Sequence, residues 1–276
     1  MGNLEKAQEI NRIILKKIHE VCKKNEVTYF LDSGALIGAV RHKGFIPWDD
    51  DVDVAFTRDE YEKFLAIPES EWGPEFQVVT YDRTAPGGFF DFVTRVIYLG
   101  DTVPTKCYQK AGSRLDKICE NRVAVDCLVM DSAYDSNLRQ KLLRGRLFFI
   151  YGQLMGHREY IDYSEYSLIQ KFVIYILSHI GRHRSLENLY GKYEKVSRSV
   201  PSDTKHMYYS NYPMHLIWVR LEKDWFKGTV QLPIGEEWYD APMGFHKVLK
   251  AQYNDYMSLP EEEKRVPQHI VIGEEQ

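Results

Sequence analysis

The apolar positions of the first 130 residues change period several times, and each change predicts a new element. Leu4, Ala7, Ile10, Ile14, Ile18 and Val21 recur at helical spacing, which predicts an amphipathic helix over residues 4–24. The run 27–31 reads as a short strand, and 34–41 as a helix of small residues packed closely on a neighbour. The turn Phe45-Ile46-Pro47-Trp48 leads into a second strand over 52–56. Thr57 and Glu60 have the spacing of a capping box for a helix that carries Tyr61, Phe64 and Leu65. Residues 76–81, 90–98 and 122–129 read as further strands. Beyond Asp131, which reads as a helix or loop cap, residues 137–199 read as mostly helical, with aromatic and basic residues interleaved. Residues 203–240 are mixed, with a strand at 216–221 and turns at Gly228 and Gly235, and 242–257 reads as a closing helix. The expectation is an α/β (α+β) chain: a mixed-sheet core over 1–136, a helical subdomain over 137–202, and a C-terminal segment over 203–276 that returns to the core.

Composition narrows the function classes. A net charge of −4 offers no broad basic field, so nucleic acid is not expected as a partner. The 19 tyrosines suit core packing first and a sugar- or nucleotide-handling surface second. Cys22, Cys107, Cys119 and Cys127 have neither zinc nor redox spacing, and nothing suggests a disulfide framework, which fits a reducing compartment. The opening residues begin an amphipathic helix and lack the apolar stretch of a signal peptide. The apolar run 172–180 falls well short of the roughly 18–20 residues that span a bilayer. A cytoplasmic protein is expected, with peripheral contact to the inner face of a membrane as an open addition.

The run Pro47-Trp48-Asp49-Asp50-Asp51-Val52-Asp53 carries the chemistry. Residues two apart on a strand point to one side, so Asp51 and Asp53 project together, with Asp49 beside them if the strand starts early. Val52 and Val54 then point into the core. Carboxylates held on one face repel each other, and a divalent cation relieves that repulsion. Oxygen ligands select a hard ion, Mg²⁺ or Mn²⁺. Two plainer readings stand beside this one. One is a solvated acidic turn, although the run is flanked by apolar residues. The other is a calcium loop, with Asp49, Asp51, Asp53 and Glu60 at ligand positions, although Val54 stands where that loop needs glycine. Asp126 sits in an apolar strand and needs a buried partner, for which the metal site is a natural one. Arg95 interrupts another strand and either meets a phosphate or snorkels from a sheet edge.

The segment from Tyr29 to Asp53, containing Leu31-Asp32-Ser33-Gly34-Ala35-Leu36-Ile37-Gly38 and Gly44-Phe45-Ile46-Pro47-Trp48-Asp49-Asp50-Asp51-Val52-Asp53, resembles the signature of the LicD family. These are phosphotransferases of nucleotidyltransferase-type fold related to fukutin and fukutin-related protein. Weaker resemblances follow at Val123-Ala124-Val125-Asp126-Cys127-Leu128 and at Tyr253-Asn254-Asp255-Tyr256-Met257 with Pro260, Lys264-Arg265 and His269. The resemblance touches both ends and leaves the helical middle uncovered. It implies a nucleotidyltransferase-like core with Asp51 and Asp53 as the metal pair, Asp49 alongside, and Asp126 as a further ligand or the base. It also implies a phosphate-binding side at Ser33 and Gly34, with Arg41, and His269 in the C-terminal motif; Arg95 joins these on its own reading. Ala35 departs from the family, which usually has a hydroxyl residue there.

The reaction so implied is metal-dependent transfer of a substituted phosphate from a CDP-linked donor to a hydroxyl of a cell-surface glycan or glycolipid precursor. Phosphocholine from CDP-choline is the first choice, and CDP-ribitol and CDP-glycerol are alternatives. CMP would leave, with Asp126 or Asp53 taking the proton. A nucleotidyltransferase that releases pyrophosphate is the second reading, and a non-catalytic metal-binding interaction module the third. In the middle segment, Arg139, Lys141, Arg144, Arg146, Arg158, Lys171, Arg182 and Arg184 alternate with apolar residues. The simpler expectation is that the apolar stripe packs on the core and the basic residues are solvated. The other is an interfacial helix that lies on a membrane.

Overall fold

A computed structural model describes residues 2–84, 88–103, 122–158, 160–164, 166–212 and 216–270. Cys107 and Cys119 lie outside the described residues, and Cys22 and Cys127 are buried free thiols.

Helix α1 (Asn3–Lys24) buries Ala7, Ile10, Ile14, Leu15, Ile18, Val21 and Cys22, the stripe its periodicity predicts. It leads to β1 (Phe30–Asp32) and α2 (Ser33–Ile37), which runs on into a π-helical turn, Gly38–His42. A Cβ on Gly38 would lie 2.5 Å from the Gly44 carbonyl oxygen, so this turn closes on itself because the residue is glycine. Then come β2 (Val52–Thr57), α3 (Arg58–Leu65), α4 (Glu69–Trp72), β3 (Phe76–Val79), α5 (Tyr81–Thr84), β4 (Thr94–Tyr98) and the long β5 (Ala124–Ala133). The helical layer is α6 (Asn137–Leu154), α7 (Leu168–Arg182) and α8 (Leu186–Ser197). The chain returns through β6 (His206–Tyr209), β7 (Leu221–Glu222), the hairpin β8 (Thr229–Ile234) and β9 (Glu237–Pro242), and α9 (Phe245–Tyr253).

The main sheet has the order β1-β2-β5-β4-β3, with β6 and β7 added beside β5. Met130 pairs with Thr57 of β2 and with Tyr209 of β6, so one edge of β5 serves β2 while the other serves β4 first and β6 further on. The β2–β5 pair is parallel and every other pair is antiparallel. This is the mixed sheet expected. One core lies around α1, β1, β2, β5 and the hairpin, and a second joins Ala133 and Tyr208 to α6 and α8. Arg58 links the two layers: its guanidinium grips both oxygens of Asp131 at 2.9 and 2.6 Å and reaches Glu194 of α8 at 3.3 Å.

Four local expectations are corrected. Asp131 is no cap; it lies inside β5, buried, as the partner of Arg58. Glu60 accepts a hydrogen bond from the Thr28 backbone N–H at 2.6 Å, and Thr57 caps α3 without a side-chain bond. The capping box therefore gives way to an unpaired donor at the approach to β1. Residues 216–218 form a turn, and pairing begins at Leu221. Asp53 and Val54 belong to a paired strand, which removes the calcium-loop reading.

Candidate active site

Sheet register alone assembles the centre of the site. Asp32 of β1 pairs with Asp53 of β2, Asp53 with Asp126 of β5, and Asp126 with Arg95 of β4. Register partners share a sheet face with their Cβ atoms about 4.5–5.5 Å apart, so three carboxylates and a guanidinium form a row across four strands. The next row, Leu31, Val54, Cys127 and Thr94, faces the other way and is buried. Apolar neighbours thus lock the register, because a one-residue slip would turn the charged row into the core.

The members of the row are held differently. Asp32 is buried and its acceptors are occupied: Ser33 N–H at 2.7 Å, Gln252 Nε2 at 2.6 Å and Tyr209 Oη at 2.5 Å all donate to it. Burial raises its pKa, and these three residues oppose the shift. Ser33 follows with a left-handed φ of 48°. Arg95 grips Asp91 at 3.0 and 2.7 Å and places Nε 3.2 Å from Asp126 Oδ1. Arg95 is buried on a strand paired on both sides and lines the cleft, so the sheet-edge reading fails. Asp53 is half-buried, and no donor among the described residues reaches its carboxylate. Burial, followed by repulsion from Asp51, Asp126, Asp32 and Asp49, pushes its pKa well up. Burial likewise lifts Asp126 to about 6 against the pull of Arg95.

The acidic turn before β2 is pinned from two sides. From α1, Gln8 donates to the carbonyls of Ile46 and Asp49 at 3.1 and 2.8 Å, and Asn11 donates to that of Asp50 at 3.0 Å. From the C-terminus, the backbone N–H groups of Gln268, His269 and Ile270 donate to the Asp50 carboxylate at 3.2, 2.8 and 2.7 Å. His269 Nδ1 lies 3.1 Å from Asp50 Oδ1 and 3.8 Å from Asp51 Oδ2. The bond to Asp50 raises the imidazole to about 9 against its burial, so it is cationic at neutral pH. Burial also acts to raise Asp50, but the bonds from His269 and Ile270 outweigh it and hold this carboxyl below its ordinary range. Asp49 is lifted to about 9 by burial and by the neighbouring Asp51. A Cβ at position 34 would lie 2.3 Å from Asp49 Oδ2, so the space expected for a phosphate against Gly34 is taken by this carboxylate.

Other expected residues stand further out. Arg41 Nη1 donates to the carbonyls of Tyr256 and Ser258 at 2.9 and 3.2 Å, which directs it to the C-terminal strap. Ala35 is buried in the core, where a small apolar residue fits. The cleft over the row has a volume of about 230 Å³ and is lined by Asp50, Asp51, Asp53, Asp91, Arg95, Arg122, Asp126, Tyr212 and His269, among others. Five carboxylates therefore face two guanidinium groups and one imidazole. Asp50, Asp51 and His269 each bring one ligand atom within 4.8 Å of the others, an arrangement compatible with a divalent metal. Asp50 and His269 are already committed to each other, however. Asp53 is the carboxylate that no donor among the described residues reaches; beside it stand Asp49, Asp51, 3.8 Å from His269, and Asp126, held by Arg95 alone. An acidic excess without enough protein cations fits a hard divalent ion. The sequence reading gave no role to Asp32, Asp91, Tyr209, Tyr212 and Gln252, and named Asp50 only as part of the acidic run. Asp32 alone had a local signal, standing between an apolar strand and Ser33-Gly34.

Comparison with known proteins bears on this arrangement. Residues 26–95 match the LicD/FKTN/FKRP nucleotidyltransferase domain. The lipopolysaccharide cholinephosphotransferase LicD of Haemophilus influenzae is 27% identical over 264 residues, which cover 93% of this chain and 92% of that protein. An uncharacterized protein of Rickettsia prowazekii is 45% identical over 59 residues, 21% of this chain and 22% of its own length. One of Rickettsia typhi is 38% identical over 68 residues, 25% of this chain and 20% of its own. The domain match holds the acidic turn and Arg95, and the likeness to the Haemophilus influenzae protein extends over nearly the whole chain, which together support a LicD family assignment.

Proposed function

We propose that the protein transfers phosphocholine from CDP-choline to a hydroxyl of a glycolipid or cell-surface glycan precursor. The observation that carries this reading is the carboxylate row with its acidic excess, in a chain related over nearly its whole length to a lipopolysaccharide cholinephosphotransferase. Asp51 and Asp53, with Asp49 alongside, would hold Mg²⁺ or Mn²⁺, leaving Asp126 as the base. The ion would supply charge neutralisation on the donor's diphosphate oxygens.

The chain's own residues account for the rest. Arg95 and Arg122 line the cleft as cations toward the diphosphate. At about 230 Å³ the cleft suits a diphosphate, being smaller than the roughly 300–1,000 Å³ of sites that enclose a drug-sized ligand. The nucleoside and choline would therefore extend outside it. The acceptor oxygen bonds to the phosphorus that bears choline, and the bridging P–O bond to CMP breaks. Asp126, 25% exposed toward the cleft and held by Arg95, takes the hydroxyl proton. A carboxyl near 6 is ionised at neutral pH and still basic enough to accept it. A phosphodiester remains on the acceptor. His269 clamps the acidic turn through Asp50 and adds positive charge at the rim.

Incubation with Mg²⁺ and CDP-choline, CDP-ribitol, CDP-glycerol or CTP tests the reading. CMP should appear fastest from CDP-choline. Pyrophosphate from CTP, with no CMP from any CDP-linked donor, would replace the proposal with nucleotidyl transfer.

A further inference from the structure

Helix α7 is built inside out. Its inner side, facing α6, is made of small and half-buried positions, including Ser178 and Gly181, while Leu168, Ile169, Phe172, Val173, Ile176 and Ile180 are exposed. Leu168 and Ile169 are 84% and 78% exposed, values that belong to solvated polar residues. At 15 residues the face runs about 22 Å along the helix. Helix α7 cannot rotate to hide it. A Cβ on Gly181 would meet the Gln153 carbonyl oxygen at 1.9 Å, and one on Gly156 would meet the Ser178 carbonyl oxygen at 2.1 Å. The two backbones touch there, and any larger inward residue would be excluded.

The charge carried by α6 and α7 themselves has one sign. Helices α6 and α7 contain six Lys and Arg residues and no Asp or Glu, in a chain with 40 acidic residues among 276. Arg139, Lys141, Arg146 and Arg182 are exposed, and none makes an ion pair among the described residues. Helix α6 adds exposed Leu138, Leu142 and Phe149. No helix of the described residues is long and apolar enough to cross a membrane.

We propose that α7 docks the protein on an anionic lipid bilayer, with its outer apolar face lying in the interface and the α6 and α7 cations meeting lipid headgroups. Apolar side chains and exposed cations that form no ion pair among the described residues, on one pair of acid-free helices, are the features an interfacial helix uses. A second copy of this basic surface would instead bring like charges together. The proposal rests on these helices and not on the reaction proposed above; it supplies the surface on which a lipid-borne acceptor would be met.

Sedimentation of the full chain with vesicles of phosphatidylcholine alone or mixed with phosphatidylglycerol tests it without donor or metal, so its failure is separable from failure of the enzymatic reading. Wild type should bind the anionic vesicles at low salt and be released by high salt. Each basic residue near such a surface is worth about fivefold in partitioning, so Arg139→Gln with Lys141→Gln should weaken binding about 25-fold. Phe172→Asp with Ile176→Asp should abolish binding while CMP release from a soluble acceptor assay stays at wild-type rate. Should that double variant fail to fold, Phe172→Trp serves instead: its emission should shift to the blue on anionic vesicles and be quenched by brominated acyl chains. Lack of wild-type sedimentation at low salt overturns the proposal. So does a concentration-dependent dimer, broken by Phe172→Asp, in a protein that ignores vesicles.

Discussion

The charged row of the sheet and the outer face of α7 invert the usual partition in opposite senses. The sheet withdraws carboxylates from water where β1, β2 and β5 could have been apolar, and α7 presents hydrocarbon to water where it could have been polar. Each inversion is enforced by ordinary packing nearby. Leu31, Val54 and Cys127 fix the register that aligns Asp32, Asp53 and Asp126, and Gly152, Gly156 and Gly181 fix the contact that turns α7 outward. Surroundings that would be satisfied by a conventional residue at each place instead hold an uncompensated one, and that difference marks where another species is expected: a cation and diphosphate in one case, a lipid surface in the other.

The largest effect should come from the row. Asp126→Ala removes a cleft-facing carboxylate beside Arg95 and should lower the rate of CMP release by about 10²–10⁴-fold, with little change in far-UV circular dichroism. A rate within threefold of wild type would detach the row from the chemistry.

The helical layer should respond in stability according to side. Leu147 of α6 is fully buried, so Leu147→Ala should cost about 2–5 kcal/mol in denaturant unfolding. Phe172→Ser, on the outer face of α7, should stay within about 0.5 kcal/mol in buffer, because the side chain is 66% exposed. Equal losses would mean that α7 is not the outward-facing helix described.

A smaller effect separates the row from the surface by pH. The carboxyls of Asp126 and Asp49 are raised to about 6 and 9, so folding takes up protons above the ordinary carboxyl range near 4. Their contribution is fully present below about pH 4 and is lost as pH rises through those folded values. His269, raised to about 9, acts in the same sense between about 6.5 and 9. In chelator the melting temperature should therefore fall from pH 5 to pH 9, and Mg²⁺ or Mn²⁺ should reduce the fall. A rise over that range would contradict the electrostatics assigned to the row.

Much of this site was legible because strand alternation is a strict code. Asp51 and Asp53 separated by Val52, and Asp126 between Val125 and Cys127, declare a shared face by their spacing alone. What alternation cannot state is which strands are neighbours, so Asp32 and Asp91 entered through pairing and through Arg95. Asp50 approaches the same His269 nitrogen as Asp51 and became a clamp for the backbone at 268–270, a tertiary contact without a local pattern. The elements α1, β1, α2, β2 and α3 followed from period, whereas α4 and α5 were not read and the expected strand at 216–221 failed because its apolar residues pack from a turn. For α7, periodicity revealed a stripe but not its direction. The clue was the set of glycines, Gly152, Gly156 and Gly181, which let the wrong side face inward.

The chemistry proposed for the cleft depends on Asp53 and its neighbours forming a metal-dependent phosphotransfer centre. The most direct test titrates Mn²⁺ into wild type and Asp53→Asn by calorimetry, with CMP release from CDP-choline measured on the same samples. Saturable binding and turnover are expected in wild type, with loss of both in Asp53→Asn. The metal-free melting temperature of the variant should be at or above that of wild type, since one member of a repelling group has lost its charge. Undiminished Mn²⁺ binding and turnover in Asp53→Asn would contradict the assignment.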